Sequence, residues 1–245
     1  MRRVLVGAAL AVLVAITALA ASAPRWRSPD PEQIGQWLRR AADARDPQAE
    51  ASLARWSAKR DPEARRAYIQ LLAHRSDAGS RRRYIEVLRR STAEGDALAA
   101  TQLADLSFRR EPLAEASAAQ IEQWYRQGAD GGIASAARMI GILTLNGATG
   151  QAEVARAIDW FRKAAHAGDA HAMFLLANAL RAGQGVPRDE SQALVWYRRA
   201  ADADNAPALQ TLALAYQHGE LGLAIDGAQS RLMDHEAAEA LAHPR

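Results

Sequence analysis

Between residues 120 and 220, small and apolar side chains recur at helical spacing. Ile121, Trp124 and Gly128 form one such set, Ala157, Trp160 and Ala164 a second, and Ala193, Trp196 and Ala200 a third. Steps of three and four residues put the members of each set on one side of a helix. The sets themselves recur, because Trp124, Trp160 and Trp196 stand 36 residues apart. Counted from each Trp, Ala129, Ala165 and Ala201 stand five residues on, Ala134, Ala170 and Ala206 ten, and Ala136, Ala172 and Ala208 twelve. Ile140, Leu176 and Leu212 follow at sixteen, and Gly147, Gly183 and Gly219 at twenty-three. A period in the thirties with two helical stretches per unit predicts an all-α fold, an α/α solenoid in which each unit stacks on its neighbours. About twelve helices are expected between residues 30 and 243, and no strands.

Each recurrent position has a mechanical reason. The Trp is expected to be a knob in a pocket walled by the second helix of its unit, which Ala at ten and twelve allows to come close, and the aromatic after it, Tyr125, Phe161 or Tyr197, is expected to pack between repeats. Gly132, Gly168 and Asp204, eight after the Trp, mark the turn between the two helices. Gly at twenty-three suits a helix C-terminus with positive φ. Helix starts are signalled by Asp30-Pro31, Asp46-Pro47 and Asp61-Pro62, where the carboxylate caps free N–H groups and Pro fits the first turn. The pattern persists, eroded, in the N-terminal third: Trp37 precedes Ala41, Ala42, Ala49 and Leu53, and Val87 precedes Gly95, Ala97, Ala99 and Leu103, at the repeat's offsets. "DPEARRAYIQLLAHR" reads as a helix between them, and "DGAQSRLMDHEAAEALAH" as a more polar helix capping the C-terminal end.

The run "RAIDWFRKAAHAGDAHAMFLLANALRAGQGVPRDESQALVW" resembles the Sel1-like repeat, a relative of the tetratricopeptide repeat. The resemblance lies in Trp160-aromatic-Arg-x-Ala-Ala, Gly168, Ala170, Ala172, Gly183-x-Gly185-Val186 and the lead-in Asp189, Ala193, Trp196. Ala177 and Ala213 depart from it, standing where the family usually has Gly after Leu; Gly141 keeps that Gly. The resemblance implies a right-handed superhelix of helical hairpins and a concave groove, lined by first helices, that binds another protein. The chain then divides into a leader at 1–23, a linker at 24–31, degenerate helical repeats at 32–118, Sel1-like repeats at 119–223 and a capping helix at 224–245.

The leader is "MRR" followed by a stretch with no charge from Val4 to Ala23 and then by "PRWRSPDP". It reads as an export signal, either cleaved near Ala18-Leu19-Ala20 or kept as a membrane anchor with Trp26 between Arg25 and Arg27 at the interface. Either outcome puts the body outside the cytoplasm, and the family resemblance makes that compartment the periplasm. Contact with the inner membrane would run through residues 4–23.

Charge and composition narrow the chemistry. With 31 basic residues, all but two of them Arg, against 28 acidic ones, the chain has no nucleic-acid footprint. The absence of Cys removes disulfides, thiolate metal sites and a Cys nucleophile. The six His include no pair at i, i+3 or i+4, so no single helix offers two metal ligands. "GATG" and "GQGV" read as turns, not phosphate loops, and GxSxG is absent. No catalytic residue, cofactor or metal is expected.

Two surface features remain. Arg126, Arg162 and Arg198 recur two after each Trp, and stacked repeats would align them as a row on the first-helix face. Their guanidinium groups would suit carboxylates on a protein partner. "RRR" at Arg81–Arg83, followed by Arg89 and Arg90, reads as a solvated basic face. The expected function is a non-enzymatic, exported scaffold or adaptor that binds another protein in the cell envelope. The resemblance also admits a periplasmic immunity protein against a type VI secretion lipase toxin, and, last, an envelope polysaccharide-acting enzyme with a carboxylate pair facing a cleft.

Overall fold

The structure, a computed structural model, describes residues 28–147 and 151–243. The leader at 1–23, the first residues of the linker and Ala148–Gly150 of "GATG" lie outside the described residues. Twelve α-helices and no strand stand among the described residues. The chain divides into two compact units with the break between Asp77 and Ala78, inside the segment of degenerate repeats.

The first unit holds α1 (Pro31–Asp43), α2 (Pro47–Ala58) and α3 (Pro62–Ala73), with α1 packed on both of the others. All three begin at the Asp-Pro pairs. Asp30 accepts from the Gln33 N–H at 2.7 Å, Asp46 from Gln48 at 2.9 Å and Asp61 from Ala64 at 2.9 Å, each with Pro in the first turn. The Ala49 and Gln48 N–H groups hold the Asp46 carboxyl below its ordinary pKa, and Arg40 adds to the effect. Arg75, just after α3, donates to Glu50 at 2.6 Å and to the Ala41 carbonyl at 3.2 Å, tying the end of α3 to α2 and α1.

The second unit runs α4 (Ala78–Ala93), α5 (Ala97–Phe108), a short 3-10 turn (Pro112–Ala114), α6 (Ala118–Asp130), α7 (Ala134–Asn146), α8 (Gln151–His166), α9 (Ala170–Ala182), α10 (Glu190–Asp202), α11 (Ala206–His218) and α12 (Gly227–Ala242). Each helix packs on the next in sequence, the local pattern of a repeat array. Thus α4, α6, α8 and α10 are first helices, and α5, α7, α9 and α11 are second helices.

The turn between them is set by one residue in the left-handed region, eight after the Trp position. Gly95, Gly132, Gly168 and Asp204 have φ of 93°, 85°, 94° and 57°, and Arg45, eight after Trp37, has 51°. Gly183 and Gly219 end α9 and α11 with positive φ as expected. Gly147 does not: it ends α7 at φ −94°, a conformation open to any residue.

Packing corrects the role given to the Trp. The fully buried aromatic is the residue after it: Tyr125, Phe161 and Tyr197 are 0%, 1% and 0% exposed. Trp196 is buried, but Trp124 and Trp160 are half-buried, and Trp160 spans two core clusters. A helix turns about 100° per residue, so adjacent positions share the 36-residue period and differ only in facing. The close approach of the second helix is as predicted. Ala136, Ala172 and Ala208 are fully buried, and a Cβ on Gly128 would come 2.9 Å from that of Ala136 and 2.1 Å from the Thr101 hydroxyl.

The buried aromatics also match their partners in the preceding repeat. The Tyr125 hydroxyl donates to Asp105 at 2.8 Å and that of Tyr197 to Asn178 at 2.6 Å, both acceptors eighteen after the preceding register position. At the equivalent place before Phe161 stands Ile142, an apolar residue packed on the same cluster as the ring. Burial raises the pKa of both tyrosines, and for Tyr125 the bond to Asp105 raises it further.

Candidate functional site

The sequence nominated a face, and two hollows show how that face is built. Arg89, Thr92, Ala93 of α4 and Leu103 of α5 line a hollow of about 570 Å³ closed on the other side by α6. Arg198, Ala201, Asp202 of α10 and Leu212 of α11 line one of about 730 Å³ closed by α12. Both sets stand two, five, six and sixteen residues after the register position, counted from Val87 and from Trp196. At Arg89 and Arg198 the position two after the register residue therefore faces a recess between one first helix and the helix after the hairpin. Arg89 belongs to the row as well, at the offset of Arg126, Arg162 and Arg198.

The members of the row have different surroundings. Arg126 is exposed and donates from Nε and Nη2 to Glu122 on its own helix, at 3.2 and 2.7 Å. Arg162 pairs with Asp159, also on its own helix, at 2.5 Å. Exposed pairs of this kind contribute about 0–1 kcal/mol, so either Arg can exchange its partner for a carboxylate from outside at little cost. Arg198 stands exposed on α10 at the edge of the larger hollow. Arg89 donates to the Leu113 carbonyl at 3.1 Å, holding the 3-10 turn against α4.

One residue of the "RRR" run, Arg81, is tied to that same segment. Arg81 makes a two-point contact with Glu111, Nε to Oε1 at 3.2 Å and Nη2 to Oε2 at 3.0 Å, and its guanidinium lies 5.5 Å from the Tyr84 ring. The Arg81 bond holds the Glu111 carboxyl below the ordinary carboxylate range. Arg83 donates to Ser80 at 3.2 Å. Arg82, Arg83, Arg89 and Arg90 are exposed, as a solvated face requires, while Arg81 and Arg89 also fasten residues 111–114.

Residues the sequence did not single out complete the hollows. Around half-buried Trp124 stand Gln120, Gln123 and Gln127, with Glu115 at the rim. In the larger hollow α12 contributes Met233, Glu236 and Ala240, a stripe at steps of three and four that its C-cap His243 continues, together with Glu239. That spacing was visible, but α12 carries no Trp to place it in register. A third hollow, of about 710 Å³, lies at the loop edge between the ends of α9 and α11, bridged by Arg181 and Glu220 at 2.6 Å. His166 stands edge-on to the Trp196 ring at 5.2 Å. Among the described residues no group of three or more His, Asp or Glu is placed to hold a metal ion, and no helix is long and apolar enough to cross a membrane.

The family model for the Sel1 repeat matches residues 28–46, 134–169 and 170–205. The last two matches are 36-residue units that begin at the second helix, ten after the Trp, and the first covers α1, the first helix of the eroded repeat at Trp37. The fold is similar to the crystal structure of a Sel1 repeat protein from Oxalobacter formigenes, 23% identical with a TM-score of 0.74 over 88% of this chain and 91% of that one. It is also similar to a protective antigen present in uropathogenic Escherichia coli strains, which displays an SLR fold. That protein is 26% identical with a TM-score of 0.58 over 83% of this chain, which spans half of its length. No curated protein matches the chain in sequence. The chain thus carries Sel1 repeats, matched over its 36-residue hairpins, and shares the fold of a solved Sel1 repeat protein.

Proposed function

We infer that the chain is an exported, non-enzymatic scaffold that holds another protein against the first helices of its repeats. Sel1 repeats act in protein–protein interaction, which supports the general reading. The observation that carries the rest is the recurrence of Arg two after the register position, at the lip of a recess at both ends of the array. The groove face is thus lined in Arg89, Arg126, Arg162 and Arg198 by planar donors suited to a partner's carboxylates.

The decisive experiment is affinity capture from envelope extract with wild-type protein and with Arg126→Glu, Arg162→Glu and Arg198→Glu combined. The triple variant should lose the partner while keeping its helicity and melting temperature, since exposed substitutions change stability by less than about 0.5 kcal/mol each. Capture at wild-type strength would reject the row. Export rests on the charge-free stretch from Val4 to Ala23, and the periplasm is the compartment it serves. An alkaline phosphatase fusion after Arg245 should be active, and an inactive full-length fusion would sink that assignment.

A further inference from the structure

We propose that the hollow between α10 and α12 binds a basic segment of a partner protein, one that offers an apolar side chain between Arg or Lys residues. The proposal rests on the scaffold reading and names the chemistry that one part of the groove selects. The floor of the hollow is apolar: Leu209, Leu212 and Tyr216 of α11 lie below, and Met233 of α12 beside them. Its rim carries Asp202, Asp204, Glu236 and Glu239 against the single guanidinium of Arg198. At neutral pH that rim has a net charge of −3, so the row of arginines ends in a site of opposite sign.

The second unit is polarised the same way along its sequence. Residues 78–110 hold 7 basic and 4 acidic residues, net +3, whereas residues 202–245 hold 2 basic and 7 acidic, net −5. A concave site in an acidic end concentrates the field and steers cationic segments toward it. An acidic segment that pairs with Arg126 and Arg162 would be repelled here, which fixes the direction in which a mixed-charge partner can lie.

The test uses the full-length chain in mild detergent and a fluorescein-labelled hexapeptide, Arg-Leu-Arg-Arg-Leu-Arg, read by anisotropy. An equal-length Glu-Leu-Glu-Glu-Leu-Glu peptide is the control. Glu236→Gln with Glu239→Gln should weaken the basic peptide about five- to ten-fold. The charge-matched pair Glu63→Gln with Glu86→Gln, at exposed positions on α3 and α4, should change it less than about two-fold. Raising NaCl from about 50 to 300 mM should weaken binding to the wild type more than to the α12 double variant. Melting curves establish that both variants are folded. Equal binding to all three proteins, or no binding, overturns the proposal. Binding of the acidic peptide alone, lost in the triple Arg variant, overturns it while upholding the scaffold reading. Sedimentation covers the remaining occupant: a dimer that dissociates in the α12 double variant would assign the hollow to a second copy of this chain and refute a partner segment.

Discussion

The packing of Phe161 on Gly141 makes a prediction with a change of sign in it. Phe161 is fully buried on α8, and a Cβ built on Gly141 of α7 would stand 2.6 Å from its Cε1 and 2.7 Å from its Cδ1. Phe161→Ala forfeits about 2–3 kcal/mol of transfer free energy. A void of about 80 Å³ left by incomplete collapse, at about 24 cal/mol per Å³, costs about 2 kcal/mol more. The sum is about 4–5 kcal/mol. Gly141→Ala alone gains up to about 1 kcal/mol of helix propensity but must displace the ring, a cost of about 1–3 kcal/mol. With the full propensity gain it should therefore destabilise the wild type by up to about 2 kcal/mol. In the Phe161→Ala background the ring is gone, and the same Ala should be neutral or stabilising, with the Ala157 carbonyl 3.1 Å away as the remaining crowding. Urea denaturation of the four proteins in a double-mutant cycle measures the coupling. Additive effects of the two substitutions would refute close packing of this ring on Gly141.

Phe161→Tyr should cost about 1–3 kcal/mol by burying a hydroxyl where Ile142 offers no acceptor, and adding Ile142→Asn should recover part of that loss in thermal melts. Asp169 caps the Ala172 N–H at 2.7 Å and accepts from Arg138 Nε at 3.0 Å on both oxygens. Asp169→Ala should therefore lower stability by about 1.5–3 kcal/mol, and Asp169→Asn by less, since Asn keeps the cap. The Glu111 pKa is depressed below 4.5 by Arg81, so its stabilisation is fully present above that pH and is lost as pH falls through the lower folded value. The melting-temperature gap between wild type and Glu111→Gln should accordingly be constant above about pH 5.5 and shrink below about 4.5, a difference that scanning calorimetry reads directly.

What was legible in the sequence was whatever a backbone constraint forces into every repeat. The turn eight after the Trp needs positive φ, which favours Gly or Asp over bulkier residues, and Asp-Pro is a helix start wherever it falls. Periodicity could not say which of two adjacent aromatics is buried, because Trp160 and Phe161 share the same interval and only the rotation of α8 against α7 separates them. Nor could it pair Arg81 with Glu111, 30 residues away and outside the 36-residue pattern. The acidic hollow was hidden for a related reason: half of it belongs to α12, the helix at which the repeat signature ends.

Within the array, the positions that one repeat buries against the next vary in matched pairs. Tyr125 meets Asp105, Tyr197 meets Asn178, and Phe161 meets the register of Ile142, so a hydroxyl is present where an acceptor stands ready and absent where it does not. The exposed position six after the register residue follows no such matching: Ala93, Asp130, His166 and Asp202 succeed one another along the array. An unmatched buried polar group costs about 1–3 kcal/mol, which ties paired positions to each other, whereas a position facing a recess is free of that tie. Variation without a compensating neighbour inside the chain is what a surface shaped to an outside partner requires. Under the proposed scaffold function the two end hollows, one ringed by glutamines about Trp124 and the other rimmed by carboxylates, would take chemically different segments. A partner that fills both must change character along its length.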